Sequence, residues 1–473
     1  MSRLDTDVTT PPDGLAVMRT KAYLGVLVLA VVLGVPIAVL AYGFLKLTAL
    51  VQQWAFIDLP RALGQSQAPS LWPLLPLAAA GLLTGLSVRL LPGHGGESPV
   101  AGFSGGGVTP RAMLPGIFCA ALASIGLGAV IGPEMPLIAL GGGLAYLAVT
   151  LVRRDLPQPA GALISATGSF AAISTLLGTP LAGAFLLLEA SSVGGALATA
   201  VLLPGLLASG VGALIFTGLD SLTGFGTFSL AIPNLPTVGS PSIAEFGWAI
   251  AIGLVAAPLC VVLRRAAVAV GSRARGHPVA VTTVLGLAIG GLAVGYAQWT
   301  GHGVSDVLFS GQDQLPGLIA DSAQYSVGAL LVLLLCKGLA YTAALGAFRG
   351  GPTFPAMFLG AAGGIALSHL PGLTLVPALA MGLGAMTAAM LRLPMTAVLL
   401  TTLFLGSDGF PVIPLTIVAV VVAHVGGVWL APRPAEISGE PGEQGEGGAP
   451  PLPQPRSQPS AEPASPAGTS PPD

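Results

Sequence analysis

A five-residue motif that could bind an anion occurs twice in this chain. The first copy is GPEMP at 132–136, and the second is GPTFP at 351–355, which lies 219 positions later. Each copy precedes an apolar, glycine-bearing segment, so each is predicted to start a helix inside a membrane. The first turn of such a helix has unpaired backbone N–H groups and the positive end of the helix dipole. Two such starts in corresponding places predict one anion site near the bilayer midplane.

The two copies differ at one position that matters for mechanism, because Glu134 in the first copy corresponds to Thr353 in the second. An acid inside a membrane is expensive and indicates a functional site by default. Ionised Glu134 would occupy the anion position at the helix end, whereas protonated Glu134 would leave it to a free anion. The alternative is a first-turn acid that only stabilises its helix. Burial and the helix end act in opposite directions on its protonation.

Three further elements could take part in anion binding or proton transfer. Glu189 ends an apolar run and is either a proton relay or a marker of the membrane edge. Lys337 lies inside an apolar span and is either a fixed cation that favours anions or a snorkelling side chain. A glycine-rich turn, GGESP at 95–99, could aim N–H groups at an anion or be a plain loop. Glu97 lies in this turn, at the edge of a span.

Composition identifies the class of protein. Of the 473 residues, 53% are hydrophobic and 8% are charged, against about 25% charged in soluble domains. The 67 glycines and 42 prolines favour broken helices over a stack of plain ones. The chain has no nucleotide loop, no readable Ser/His/Asp arrangement and no His/Cys ligand spacing. We therefore expect a polytopic membrane protein that is not an enzyme and has no cofactor, metal or nucleic-acid partner.

A second repeated pair indicates an internal duplication. The segment TPLAGAFLL at 179–187 resembles LPMTAVLL at 393–400, at an offset of 214. Both pairs occur in the same order, which predicts a first membrane half at 21–218, a linker at 219–244 and a second membrane half at 245–431.

The remaining segments are predicted to be cytoplasmic. They are an N-terminal segment (1–20) and a tail rich in Pro, Gly, Ser, Glu and Gln (432–473), which is expected to be disordered. Basic pairs such as Arg264-Arg265 indicate cytoplasmic loops. A multi-pass protein of the inner (plasma) membrane with both termini in the cytoplasm is therefore expected.

Four elements in order, GGESP (95–99), GPEMP (132–136), TPLAG (179–183) and GGPTFP (350–355), resemble the CLC family of chloride channels and chloride/proton antiporters. The resemblance covers about residues 20–431. It implies an all-α fold of two inverted-topology halves with tilted, broken helices, and a homodimer with one pore per subunit. It also implies that Glu134 is the gating glutamate. The residues implied to bind the anion are Gly95, Gly96, Ser98, Gly132, Pro133, Met135, Gly351, Thr353 and Phe354.

Several positions depart from the family pattern. The family's anion-coordinating serine falls on Gly96, so a hydroxyl ligand is lost unless Ser98 replaces it. Pro352 has no N–H to donate. The family's inner proton-transferring glutamate falls on Ala190, next to Glu189, which leaves Glu189 and Glu97 as the candidates for a proton path.

These features predict a channel for chloride or a similar small anion, gated by protonation of Glu134. A chloride/proton antiporter is the alternative within the family. A cation-coupled transporter for an organic solute shares broken helices and inverted repeats and is the alternative from another class. A membrane sensor that does not transport is a further possibility.

Overall fold

The computed structural model describes residues 18–431, apart from 66–67, 104–106, 154–155, 192–194, 224–231, 233–234 and 237–238. The predicted tail (432–473) lies outside the described residues, as do most of the predicted N-terminal segment (1–20) and much of the predicted linker (219–244).

Among the described residues, the helices of 11 or more residues fall into two sets of seven. The first set is α1 (Lys21–Gln53), α2 (Leu74–Leu90), α3 (Leu114–Gly126), α4 (Glu134–Val152), α5 (Gln158–Leu177), α6 (Pro180–Ala190) and α7 (Gly195–Thr223). The second set is α8 (Ile243–Gly276), α9 (Pro278–Thr300), α10 (Val327–Ala347), α11 (Thr353–Leu367), α12 (Leu375–Leu391), α13 (Pro394–Leu405) and α14 (Ile413–Leu430). Shorter helical turns lie at Trp54–Asp58, Leu59–Ala62, Pro92–Gly95, Pro99–Ala101, Arg111–Met113, Val304–Asp306, Leu315–Ala320, Ser322–Gln324 and Gly406–Val412.

The helices differ greatly in length, as the glycine and proline content predicts. α1 has 33 residues and α8 has 34, so each is roughly 50 Å long and either tilts within a hydrocarbon layer of about 30 Å or extends beyond it. In contrast, α6 has 11 residues and α13 has 12, which is too short to cross. Within the described ranges, eight helical segments are long and apolar enough to span a membrane. The expected all-α membrane fold of uneven, broken helices is confirmed.

The same packing pattern occurs in both sets of helices. α4 packs on α5, α5 on α7 and α1 on α7, and in the second half α11 packs on α12, α12 on α14 and α8 on α14. The halves also contact each other directly, through α2 against α9 and α6 against α13. The repeated motifs therefore reflect a repeated helix arrangement.

Glycines allow the closest of these helix contacts. On α9, a methyl group at Gly286 would overlap the Leu77 carbonyl oxygen of α2. One turn earlier on α9, Thr282 donates its hydroxyl hydrogen to the carbonyl oxygen of Gly81 on α2 at 2.7 Å. Small residues at such contacts let two helix backbones approach, which favours association inside lipid.

We predict that Gly286→Ala weakens the contact between α2 and α9. Overpacking costs about 1–3 kcal/mol, more than the roughly 1 kcal/mol that alanine gains over glycine in a helix. The unfolding temperature in detergent should therefore fall. Gly291→Ala is the matched control on the same helix, because its added methyl would meet no atom within 4 Å. Equal unfolding temperatures for the two variants would contradict the assigned contact.

Candidate functional site

The two Gly-Pro turns meet through their backbones. The Gly132 N–H donates to the Gly351 carbonyl oxygen at 2.8 Å, and the Gly351 N–H donates to the Gly132 carbonyl oxygen at 2.5 Å. The pairing is antiparallel, as expected for two segments of opposite orientation. α4 and α11 start two residues after these glycines, so two helix N-termini open at one place.

Glu134 lies at this junction and connects the two halves. Its side chain is fully buried, and its Oε1 accepts a hydrogen bond from the Phe354 N–H at 3.2 Å. Its other oxygen, Oε2, has no hydrogen-bond partner. The Glu134 carboxylate, at the start of α4, thus accepts a hydrogen bond from a backbone N–H at the start of α11, 220 positions away in sequence.

The carboxylate fits here because both motif glycines lack a side chain. A methyl group at Gly132 or at Gly351 would overlap the Glu134 carboxyl oxygens. A methyl group at Gly350 would lie 2.7 Å from the Gly132 carbonyl oxygen. Glycine at these positions therefore leaves the space that an ionised side chain, or an anion of similar size, can fill.

The remaining motif residues surround this point. Pro133 is buried and precedes the first residue of α4, while Met135 is partly buried in the first turn. Thr353 and Phe354 are buried in the first turn of α11. The Thr353 hydroxyl oxygen, like Glu134 Oε2, has no hydrogen-bond partner.

Tyr341 is a residue of the site that sequence reasoning missed. It is fully buried on α10 and donates its phenol hydrogen to the Pro352 carbonyl oxygen at 2.6 Å. That carbonyl belongs to the second Gly-Pro turn, so this hydrogen bond holds the turn in place. The sequence signal was a tyrosine inside an apolar span, where its hydroxyl needs a buried partner.

The glycine-rich turn lies beside the second motif. Residues 93–96 all have positive φ, at 77°, 50°, 72° and 90°. A methyl group at Gly95 would contact Ala120, and one at Gly96 would contact Ile117, both on α3. Arg349 joins the turn to the segment before α11, because its Nε donates to the His94 carbonyl oxygen at 3.2 Å. In the described part of the chain, no hydrogen bond links Ser98 to Glu134, while Glu97 is exposed.

Glu189 caps a helix of the other half. Its Oε1 accepts from the Met395 N–H at 2.9 Å, and its Oε2 accepts from the Thr396 N–H at 2.7 Å and the Thr396 hydroxyl at 2.6 Å. These donors lie in the first turn of α13, where backbone N–H groups have no helical partner. Both carboxylate oxygens are therefore used in joining α6 to α13, and the adjacent Ala190 offers no ionisable group.

Lys337 is fully buried on α10, and carbonyl oxygens surround its ammonium group. Its Nζ donates to the carbonyl oxygens of Asp306, Val307 and Leu308 at 2.9, 3.2 and 3.1 Å. The Phe358 ring centroid lies 4.2 Å away. All three N–H donors have acceptors, so Lys337 can act on an anion through its charge but has no donor left for direct contact. Among the described residues, no three His, Cys, Asp or Glu side chains come together as metal ligands.

The fold defines a polytopic membrane protein built from two inverted halves, whose repeated Gly-Pro turns meet beside one buried carboxylate. Comparison with known proteins agrees. The family described as voltage gated chloride channel matches residues 80–426. Proteins named ion-transport protein YfeO, from Shigella boydii serotype 4 (strain Sb227) and Escherichia coli (strain K12 / DH10B), are each 30% identical over 349 residues, which is 72% of this chain and 79% of the relative. The chain belongs to the voltage gated chloride channel family, which confirms the resemblance seen in the sequence.

Solved structures share the fold. A slow cyanobacterial Cl-/H+ antiporter superposes with a TM-score of 0.68 at 22% identity, over 86% of this chain and 94% of that one. A CLC-type fluoride/proton antiporter gives 0.62 at 19% identity, over 86% and 96%. A eukaryotic CLC transporter gives 0.64 at 15% identity, over 86% and 72%. These similarities confirm the expected architecture.

We predict that Gly351→Ala displaces the Glu134 side chain, because the added methyl would overlap its Oε2. A cryo-electron microscopy map of the variant should show the carboxylate away from the Phe354 N–H. Gly363→Ala on α11 is the matched control, since its methyl would meet no atom within 4 Å. A Gly351→Ala map with Glu134 still bonded to Phe354 would refute the prediction.

Proposed function

We propose that this protein conducts chloride, or a similar small anion, and that protonation of Glu134 opens the path. The observation that carries the proposal is the hydrogen bond from the Phe354 N–H to Glu134 Oε1 at the junction of two helix N-termini. A backbone N–H at a helix start is a donor that a free anion can also use. The carboxylate is therefore a tethered competitor for the anion position.

The gating step follows from the charge of the carboxylate. Ionised Glu134 satisfies the Phe354 donor and adds a negative charge that repels an incoming anion. Protonation removes that charge and weakens the hydrogen bond, since bonds to ionised acceptors are roughly twice as strong as neutral ones. The neutral side chain can then leave, and an anion can take its place at the N–H group and in the positive field of both helix starts.

An uncoupled channel is the form of this activity that the residues favour. Stoichiometric proton exchange needs a route for protons between Glu134 and the cytoplasm, through a second titratable group or through water. Both oxygens of Glu189 are bonded to the first turn of α13, and Ala190 cannot carry a proton. An antiporter is the second candidate, supported by the unpartnered Oε2 of Glu134, which could accept a proton in each cycle. Family membership argues against the cation-coupled solute transporter and against an enzyme.

We propose a homodimer with one pore per subunit, in the inner (plasma) membrane. The basic residues near the end of α8 favour a cytoplasmic position for that end, and the same rule weakly favours cytoplasmic termini. Protons are the proposed second partner of Glu134, besides the anion.

Proton movement driven by a chloride gradient, recorded together with chloride flux in proteoliposomes, tests the choice between the two candidates. Chloride flux without proton movement is the expected result. Proton uptake against its own gradient would instead establish an antiporter and contradict the channel. Flux that depends on Na⁺ and an organic solute, with no response to halide, would overturn both.

We predict that Glu134→Gln gives chloride flux that no longer changes with pH, because the neutral amide cannot titrate. Flux measured across a pH series in proteoliposomes checks this. Glu245→Gln is the control: Glu245 is also buried, but it is bonded to Ser242 and Thr374 in a capping interaction at the start of α8. That variant should keep the wild-type pH dependence. A pH response that survives in Glu134→Gln would remove Glu134 as the gate.

A further inference from the structure

A cavity of about 470 Å³ lies where the end of α1, the start of α2 and the turn after α9 meet. Its size is within the range of ligand-binding pockets. Phe56, Trp72 and Phe309 give it aromatic walls, and Gln52 and Ser305 are among its polar residues. None of the described residues that line the cavity is charged. Such walls suit a neutral, mainly apolar ligand.

The backbone is irregular at two walls of this cavity. α1 ends in a π-helical turn (Trp54–Asp58), a kind of turn that occurs frequently at functional sites. The Ala55 carbonyl oxygen in this turn accepts the indole hydrogen of Trp72 at 2.9 Å. At another wall, Phe309 has a φ of 59°, which is costly for a bulky side chain. Strained residues of this kind cluster at sites that hold ligands.

The cavity is continuous with the apolar outer surface of α1. Ile57 lines the cavity and is 45% exposed. It is the last of a series of exposed apolar side chains that follow α1 into the π-helical turn, namely Val39, Leu40, Leu47, Leu50, Trp54 and Ile57. Lipid chains are as apolar as such a surface, and Trp favours the level of the headgroups. A lipid chain that lies along α1 can therefore enter the cavity without crossing water.

The cavity lies on the side of the protein away from the basic end of α8. α9 begins at Pro278, two residues after α8 ends at Gly276, and it has 23 residues, which span roughly 35 Å. The turn that lines the cavity follows directly after α9. With the basic end of α8 in the cytoplasm, as proposed above, the cavity faces the outer leaflet.

Two lining rings connect the cavity to the candidate site. The Phe56 and Phe309 rings pack edge to face, with their centroids 5.0 Å apart. The Phe309 N–H donates to the Gly128 carbonyl oxygen at 3.1 Å, and Gly128 lies four residues before Gly132 of the first Gly-Pro turn. Lys337 binds the same turn through the three carbonyl oxygens that precede Phe309. A ligand that packs on Phe309 therefore supports the backbone that leads into the site.

We propose that this cavity binds one acyl chain of a phospholipid from the outer leaflet, and that the bound chain stabilises the segment leading to Gly132. The uncharged aromatic walls and the apolar route along α1 identify the occupant as a lipid chain. Gln53 and Ser70 line the cavity and are exposed, so their amide and hydroxyl groups can donate hydrogen bonds to the ester oxygens of the same lipid. This binding goes beyond the proposed function and does not depend on it.

The fluorescence of Trp72 tests the proposal, because its indole lines the cavity. The protein is prepared with Trp72 as its only tryptophan and reconstituted in phospholipid brominated on its acyl chains, which quenches on close approach. Ala49 lines the cavity, so the larger ring of Ala49→Phe fills the space and should abolish the quenching that the bound chain causes. Leu50→Phe is the matched control, since Leu50 is the next residue of α1 and is 60% exposed; it should keep that quenching. The tryptophan substitutions are Trp54→Phe, Trp248→Phe, Trp299→Phe and Trp429→Phe.

Equal quenching of Trp72 in Ala49→Phe and Leu50→Phe would overturn the proposal. Stability gives a second readout: adding phospholipid to delipidated protein should raise the unfolding temperature of Leu50→Phe more than that of Ala49→Phe.

A cryo-electron microscopy map of the unmodified protein in lipid nanodiscs decides the question even if Ala49→Phe does not fold. It should show elongated density that runs from Ile57 to Phe309. Separate water-sized peaks in the cavity, or a segment of a second copy of the chain, would contradict an acyl chain. None of these measurements uses anion flux, so their failure leaves the proposed function intact, and a protein without chloride flux leaves the lipid site intact.

Discussion

The pairing of Gly132 with Gly351 is the contact on which the rest of this structure depends. A helix that starts inside a membrane has N–H groups with no helical partner and no water to satisfy them, and each costs several kcal/mol in hydrocarbon. The mutual hydrogen bonds of Gly132 and Gly351 pair the backbone just before the two helix starts and hold the starts against each other. The Glu134 carboxylate satisfies one first-turn donor, the Phe354 N–H. Under the proposed function, an anion at this point satisfies the first-turn donors that remain unpaired.

The need to satisfy the backbone N–H groups of internal helix starts explains features far from the site. The short helices α6 and α13 also start and end within the fold, and Glu189 supplies the acceptor that the first turn of α13 needs. The short helices pack mainly on neighbours within their own half, α6 on α5 and α7, and α13 on α12 and α14. Glycine contacts such as that of α2 with α9 bring the two halves close enough for the turns to meet. The hydrogen bond from the Tyr341 hydroxyl to the Pro352 carbonyl oxygen adds a side-chain contact that holds the second Gly-Pro turn in place.

The fold and the convergence of the two motifs could be predicted because both appear as local sequence patterns. Apolar length indicates a membrane helix, and a Gly-Pro turn before it indicates an internal start. The partners of individual side chains could not be predicted, because they come from distant segments. Glu189 caps a helix only because Thr396 of the other half donates to it. Tyr341 contributes to the site because its hydroxyl donates to the Pro352 carbonyl oxygen in the second Gly-Pro turn. The missing partner of Thr353 is visible only once every neighbour is known.

The antiparallel contact also bears on how such a chain could have arisen. Two identical halves, duplicated and joined, would each carry the same residue at the helix start. An acid in both would put two carboxylates at one buried point, where like charges cannot both remain ionised. Threonine in both would leave the pore with no residue able to respond to protons. A glutamate facing a threonine avoids both outcomes, so under the proposed function this one difference between the repeats is what makes the closed state responsive to protons.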